Sequence, residues 1–233
     1  MVNADLEYLA GLISAGLIFD PVLELGAGYG GATCRSAVEA LQLRYFGTDL
    51  GLGTGVDFVA DFEVETDMKA FRKVAPFGSI LIFNVLEHTF DPIRVLDNAR
   101  SLVRSGGTIV VLTPAIWPLH NYPMDAWRLL PNFYEEYAAR RGVELLRDHF
   151  EYVGHGRVES HRNVDGSYSF PPPAKPGLRK AMSQVVHKSF NTFGRAMFQP
   201  SHIACGAVFR IRTSQCTSGS REPEVVRLAS TSD

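Results

Sequence analysis

Residues 22–33, VLELGAGYGGAT, restrict what this chain can fold into more than any other stretch. Val22-Leu23-Glu24-Leu25 reads as a short buried strand. Gly26, Gly28, Gly30 and Gly31 follow, and Ala32-Thr33-Cys34-Arg35-Ser36-Ala37 reads as the start of a helix. Strand, glycine turn and helix in that order make a binding device. Glycine lets the backbone turn tightly and lets a ligand come close where a Cβ would collide. A helix start presents N–H groups that have no partner inside the helix. Each glycine also costs backbone entropy, which argues against a purely structural role for so many in one turn. Gly26-x-Gly28-x-x-Gly31 satisfies the dinucleotide fingerprint, and Asp49 lies downstream where a ribose-binding acid would be. No Walker-type lysine follows the glycines, which disfavours a phosphate-loop nucleotide hydrolase.

The segments around this turn predict a sheet. Residues 4–17 read as an amphipathic helix, broken by Asp20-Pro21. After the turn and its helix (31–41), Leu43–Thr48 is a strand that ends in Asp49-Leu50. A glycine loop, 51–55, leads to a third apolar run, Val56–Ala60, which ends in Asp61-Phe62-Glu63. Residues 65–74 are a helix. Ser79–Phe83 is a near-continuous apolar strand, as the buried centre of a parallel sheet requires, and it runs into Asn84-Val85-Leu86-Glu87-His88. A helix over 92–103 stops at Ser105-Gly106-Gly107, and Thr108–Leu112 is a strand ended by Thr113-Pro114. Strands alternating with helices predict an α/β, doubly wound parallel sheet with right-handed crossovers. Ligands bind such sheets beyond the carboxyl ends of the strands, where every polar cluster named above falls.

Past residue 113 the rhythm changes. Residues 115–131 form a loop rich in Pro, aromatic and polar side chains. A helix follows over Asn132–Arg141, with Asn132 as N-cap and Gly142 as its stop, then strands at Val143–Val153 and Ile203–Thr213. The composition, 233 residues with 45% hydrophobic and 21% charged, suits one domain over 1–213. Residues 155–200 are then an insertion or lid on the acceptor side, and the Ser/Thr-rich 214–233 a disordered tail. Within the insertion, 177–199 reads as a helix packed on the sheet or closing the site. A weak membrane-surface or partner-binding face is its alternative. A net charge of −2 gives no nucleic-acid footprint. Cys34, Cys205 and Cys216 are too few for a disulfide framework and lack metal-ligand spacing, and His149, His155 and His161 match no metal motif. No metal is therefore expected. With no membrane-length apolar run and no basic-then-apolar leader, the expected setting is cytoplasmic.

Three features narrow the ligand. Glu24, beside the turn, would repel a pyrophosphate but suits a cationic, amine-bearing ligand. Asp61 can accept from an exocyclic adenine amine, with Phe62 offering a ring face. The fourth strand runs into NVLEH. Together, VLELGAGYG (22–30), GTDL (47–50), ADFE (60–63), NVLEHTFDP (84–92) and SGGTIVVLTP (105–114) resemble the class I S-adenosylmethionine-dependent methyltransferases. The likeness is greatest to their VLEH-containing, type 11-like group. The resemblance spans about residues 20–114 and implies a Rossmann-like, mostly parallel seven-stranded sheet with helices on both faces and an insertion before the last strand. It implies S-adenosylmethionine as cofactor and S-adenosylhomocysteine as product. It also implies that Gly26, Ala27 and Gly28 pass the methionine part, with Glu24 beside it. Asp49 would hold the ribose, Asp61, Phe62 and Leu50 would frame the adenine, and Asn84, Val85 and Leu86 would line the floor near the sulfonium.

The acceptor side must come from outside the sheet core. His120-x-x-Pro123-x-Asp125-x-x-Arg128 resembles a segment of some members of this group, including sugar- and polysaccharide-modifying ones. His120 suits removal of a hydroxyl proton. Asp125 is placed to orient it or to pair with Arg128, and Trp117, Tyr122 and Trp127 to wall the pocket. The resemblance places His88 and Glu87 where cofactor and acceptor meet; the alternatives are a bond from His88 to the backbone at the strand end, and a Glu87 that is solvent-facing or holds a loop. The expected catalytic residues are His120, His88 and Asp125. The expected reaction is methyl transfer to a small-molecule or sugar-like acceptor, tilted toward a hydroxyl. The alternatives are an NAD(P)-dependent oxidoreductase and a non-catalytic binding or scaffold protein with the same fold.

Overall fold

Seven consecutive residues with every side chain buried, Phe77–Phe83 (β4), form the centre of one sheet. The computed structural model of the protein describes residues 3–28, 34–117, 119–120, 124–154, 157–160 and 203–212. The expected helix over 177–199 and the expected tail over 214–233 lie outside these residues, as does Tyr122.

Strands β1 (Val22–Leu25), β2 (Tyr45–Asp49), β3 (Phe58–Val59), β4 and β5 (Val103–Ile116) are parallel in the order β3-β2-β1-β4-β5. Their carboxyl ends therefore share one edge. Beyond β5 the sheet turns antiparallel through β9 (Ile203–Arg210), β7 (Glu151–Gly154) and β8 (Arg157–Ser160). The expected seven strands are present as β3-β2-β1-β4-β5-β9-β7. The two-residue β6 (Glu144–Leu145), paired with β9, and the hairpin strand β8 raise the count among the described residues to nine.

Helices cover both faces. On one face, α1 (Asn3–Ser14) brings Tyr8, Leu9 and Leu12, and α2 (Arg35–Glu39) brings Val38, against Val22, Leu81, Val110 and Val208. On the other, α3 (Pro92–Leu102) and α4 (Pro131–Arg141) lay Val95, Leu96, Ala99, Tyr134 and Tyr137 on Leu23, Ile80, Ile109 and Phe209. The alternation along β1, β4 and β5 sends neighbouring side chains to opposite layers. Helix α3 starts where Asp91 accepts from the Arg94 N–H at 2.9 Å with Pro92 in the first turn. Gly206 lets α1 sit close, because a Cβ there would lie 2.7 Å from the Tyr8 ring. Polar groups at the far end of the sheet are paired in series. The Phe19 N–H donates to Ser79 Oγ, Ser79 meets Thr108, and the Thr108 hydroxyl donates to the Leu17 carbonyl, all within 2.9 Å.

Several local expectations change. The helix expected over 65–74 is a 3-10 helix, Glu65–Phe71, which buries Met68 and Phe71 on one face. Asn132 is not the cap of α4: the helix starts at Pro131, after Leu130. Gly142, at φ +65°, does stop it. The single strand expected over 143–153 is split into β6 and β7 by a 3-10 turn at Arg147–His149. Among the described residues, no helix is long and apolar enough to cross a membrane.

Candidate active site

The shared edge begins at the turn after β1. Gly26 has φ +77°, and a Cβ there would meet Val85 Cγ2 at 2.7 Å; at Gly28 it would meet Val56 Cγ2 at 2.9 Å and Asp49 Oδ2 at 3.1 Å. The turn is thus a cradle that side chains would fill, with Val85 behind it. Gly26 and Ala27 both donate from the backbone to the Thr48 carbonyl, at 2.9 and 3.1 Å, which fastens the turn to the end of β2. Ala27 itself is fully buried. Asp49 closes β2: one oxygen accepts from the Gly28 N–H at 2.9 Å and the other from the Leu50 N–H at 2.7 Å. The Leu50 side chain is 60% exposed, an apolar surface beside that carboxylate. Gly30 and Gly31 lie outside the described residues.

Glu24 is buried within β1 and takes the Cys34 N–H at 2.7 Å and the Tyr45 hydroxyl at 2.5 Å. It holds the start of α2 beneath the turn. Burial pushes its carboxyl above the usual range, opposed by those two donors. Asp61 accepts from the Glu63 N–H at 2.8 Å, closing its own turn. Phe62 differs from expectation: its ring faces the core against Phe71, with centroids 5.5 Å apart, rather than the strand-end surface. Leu86 is likewise fully buried. Asn84 sits at φ +54° and donates to Asp5 Oδ2 of α1 at 3.0 Å, clamping that helix to the end of β4. Sequence reading missed Asp57, which accepts from the Gly47 N–H and from Arg35, both at 2.8 Å. Arg35 also lies over the Tyr45 ring at 4.3 Å. An Arg opening a helix and an Asp closing a glycine loop were the available signals.

A second cluster lies where the Leu86–His88 3-10 turn meets the loop after β5. The Ala126 N–H donates to the Glu87 carbonyl at 2.8 Å, and His88 Nδ1 contacts the Met124 carbonyl at 2.5 Å, so the loop is pinned to the turn. Asp125, whose side chain is fully covered, accepts from both terminal nitrogens of the Arg128 guanidinium, Nη1 and Nη2. It also accepts the His120 backbone N–H at 2.9 Å and lies 3.0 Å from His120 Nδ1. The Arg128 guanidinium holds the Asp125 carboxyl well below the usual range. Arg128 further donates to the Trp117 carbonyl at 3.2 Å. Trp127 is 41% exposed and Trp117 half-buried. The His88 and His120 rings meet edge-on with centroids 4.8 Å apart. Burial lowers the His88 pKa. Glu87 corrects the reading of it as solvent-facing: its side chain is 1% exposed, and burial pushes its carboxyl up to about 8.

The strand order, the glycine cradle against Val85 and the acid closing β2 define a class I S-adenosylmethionine-dependent methyltransferase. The chain belongs to the methyltransferase-domain family, whose model matches residues 7–163. The nicotinamide reading left open by the glycine spacing is thereby closed, and S-adenosylmethionine is the cofactor. None of the curated proteins matches the chain in sequence. Solved structures share the fold. A SAM-dependent methyltransferase from Archaeoglobus fulgidus is 14% identical, with TM-score 0.51, over 88% of this chain and 94% of that one. A methyltransferase from Bacillus halodurans is 11% identical, with TM-score 0.53, over 88% and 99%. One from Anabaena variabilis is 12% identical, with TM-score 0.53, over 91% and 86%.

Proposed function

We propose that the protein methylates a hydroxyl oxygen of a small-molecule or sugar-like acceptor. The observation that carries this reading is the Asp125–His120 pair, His120 Nδ1 lying 3.0 Å from a carboxylate oxygen that Arg128 fixes in place. An amine needs only to be bound neutral. A hydroxyl must shed a proton, and an imidazole oriented by a third group is the arrangement that assists this. S-adenosylmethionine supplies an electrophilic methyl group and its own leaving group.

The remaining work falls to this chain's residues. Gly26, Ala27 and Gly28 line the amino-acid end of the cofactor site, and Asp49 accepts from the ribose. Leu50 covers one face of the adenine, beside the Asp61 turn. Val85 backs the cradle, while Asn84 and Leu86 hold the floor in place, one through Asp5 and the other through the core. Glu24 holds the start of α2 through one oxygen, Oε2, which accepts from Tyr45 and Cys34, and lies beside the methionine part of the cofactor. On the acceptor side, His88 and His120 assist loss of the proton, Asp125 positions His120, and Trp117, Trp127 and Arg128 bound the pocket. Alignment of the acceptor oxygen accounts for much of the acceleration in such a transfer.

The test is to follow S-adenosylhomocysteine release with a panel of glycosides, phenols and amines and to identify the product by NMR. A methyl ether is expected. Products confined to N-methyl or C-methyl compounds would sink the reading.

A further inference from the structure

Glu87 is not absorbed by the chemistry above. A buried carboxylate normally comes with hydrogen bonds or a counter-charge, because an unpartnered one is costly. Among the described residues, neither Glu87 oxygen has a hydrogen-bond partner. His88 Nε2 stands 3.7 Å from Oε1, beyond hydrogen-bond range.

The two histidines are oriented alike. A carbonyl only accepts, so His88 Nδ1, against the Met124 carbonyl, carries the proton, and Nε2 carries the lone pair. His120 Nδ1, against the Asp125 carboxylate, is assigned the same tautomer. Holding Nδ1–H on a carbonyl or carboxylate is how proteins aim metal-binding imidazoles. His88 Nε2 therefore brings a lone pair to within 3.7 Å of Glu87 Oε1. One ligand atom each from Glu87, His88 and His120 lies within 4.8 Å of the other two.

We propose that Glu87, His88 and His120 form a site for a first-row divalent cation of the zinc or manganese type, whose open positions take the acceptor hydroxyl. Two imidazoles and one carboxylate suit such ions, whereas magnesium and calcium prefer all-oxygen shells. Adjacent ligands about 2.1 Å from an ion lie about 3 Å apart, so binding draws the three side chains together by about 1–2 Å. The cation half of the proposal stands on these side chains alone; the acceptor half rests on the hydroxyl reading. A cation-bound hydroxyl loses its proton more readily. With the cation bound, His88 and His120 assist proton loss as its ligands rather than as bases: the O–H bond breaks with its proton passing to water. An O–C bond then forms to the methyl group as the C–S bond breaks, leaving its electron pair on sulfur.

The test uses the full chain, stripped with chelator and titrated by calorimetry with Zn²⁺ and, separately, Mn²⁺, with S-adenosylhomocysteine affinity measured on the same samples. One equivalent of cation is expected to bind. Glu87→Gln and His120→Ala should each weaken it by about 100-fold or more, and Asp125→Asn, which acts through His120 while also loosening Arg128, by about 10–100-fold. Co²⁺ should give visible absorption bands that Glu87→Gln removes. Retained S-adenosylhomocysteine binding shows that each variant is folded. His120 lies on a part-exposed loop, so His120→Ala carries the test should Glu87→Gln not fold. The proposal is overturned by absence of stoichiometric binding in a protein that binds S-adenosylhomocysteine. It is equally overturned by cation affinity unchanged in Glu87→Gln and His120→Ala, which would place the ion on other histidines. Binding that is lost in these variants supports the site even where the product is an N-methyl compound, a result that overturns the hydroxyl reading instead.

Discussion

Glu24, in β1, and Glu87, after β4, are both buried, at 2% and 0% exposure, yet they are furnished in opposite ways. Glu24 is met by the Tyr45 hydroxyl and the Cys34 N–H. Glu87 meets no donor among the described residues. The difference extends around each residue. On the cofactor side, Asp49, Asp57 and Asp61 all accept backbone N–H groups, so that half of the site is assembled by the chain itself. On the acceptor side, Asp125 is saturated by Arg128 and His120, while the neighbouring Glu87 is left for whatever binds. A site that must hold one cofactor reproducibly gains from internal partners; one that takes a ligand between two rings and a carboxylate needs acceptors without them.

The largest effect is expected where the cofactor side depends on backbone closeness. A Cβ on Gly47 would lie 2.0 Å from the Gly55 carbonyl oxygen and 2.8 Å from Ala27 Cβ. Both neighbours belong to the frame of the cradle and neither is the tip of a flexible side chain. Gly47→Ala should destabilise the protein by about 3 kcal/mol or more and remove S-adenosylhomocysteine binding, as read by thermal unfolding and calorimetry. An unchanged melting temperature would break the picture of a prebuilt cofactor half.

The paired glutamates give the next largest contrast. Glu24→Leu strips the acceptor from two buried donors and should cost about 2–4 kcal/mol. Glu87→Leu orphans no described donor and removes an unpartnered carboxyl. Chelator-treated protein carrying it should unfold within about 1 kcal/mol of the parent, or be more stable. Denaturant curves on both variants decide the matter, and equal losses would abolish the distinction between the two halves.

The two halves also differed in how far the sequence revealed them. Gly26, Asp49 and Asn84 were legible as strand-end positions because the apolar runs before them are unambiguous and parallel strands bring their ends together. The Asp125–Arg128 pair was legible because it is local. Phe62 was misjudged, since sequence shows that a ring follows Asp61 but not which way it turns; Phe71 and the core decide that. The solvent-facing alternative for Glu87 fails for a related reason, while its backbone carbonyl does hold the loop through Ala126. Its burial comes from the loop carrying Met124 and Ala126, which no spacing between positions 87 and 124 announces. The meeting of His88 with His120 has the same origin.

The smallest expected effect isolates ligand contact from folding. Leu50 is 60% exposed, and its backbone N–H, not its side chain, bonds Asp49. Leu50→Ser keeps that bond, so stability should stay within about 0.5 kcal/mol of the parent. If the side chain covers the adenine, the exchange forfeits burial of about 50 Å² of apolar surface, worth about 1.2 kcal/mol at about 25 cal/mol per Å². That corresponds to roughly eightfold weaker S-adenosylhomocysteine binding. Cation affinity at Glu87, His88 and His120 should not move, because Leu50 follows β2 and those residues follow β4 and β5. Calorimetry with each ligand on one variant therefore asks whether the halves are separable. A matching loss in both would mean that the prebuilt side and the open side are coupled through the floor at Asn84 and Val85. Unchanged affinity for S-adenosylhomocysteine would leave Leu50 facing solvent alone.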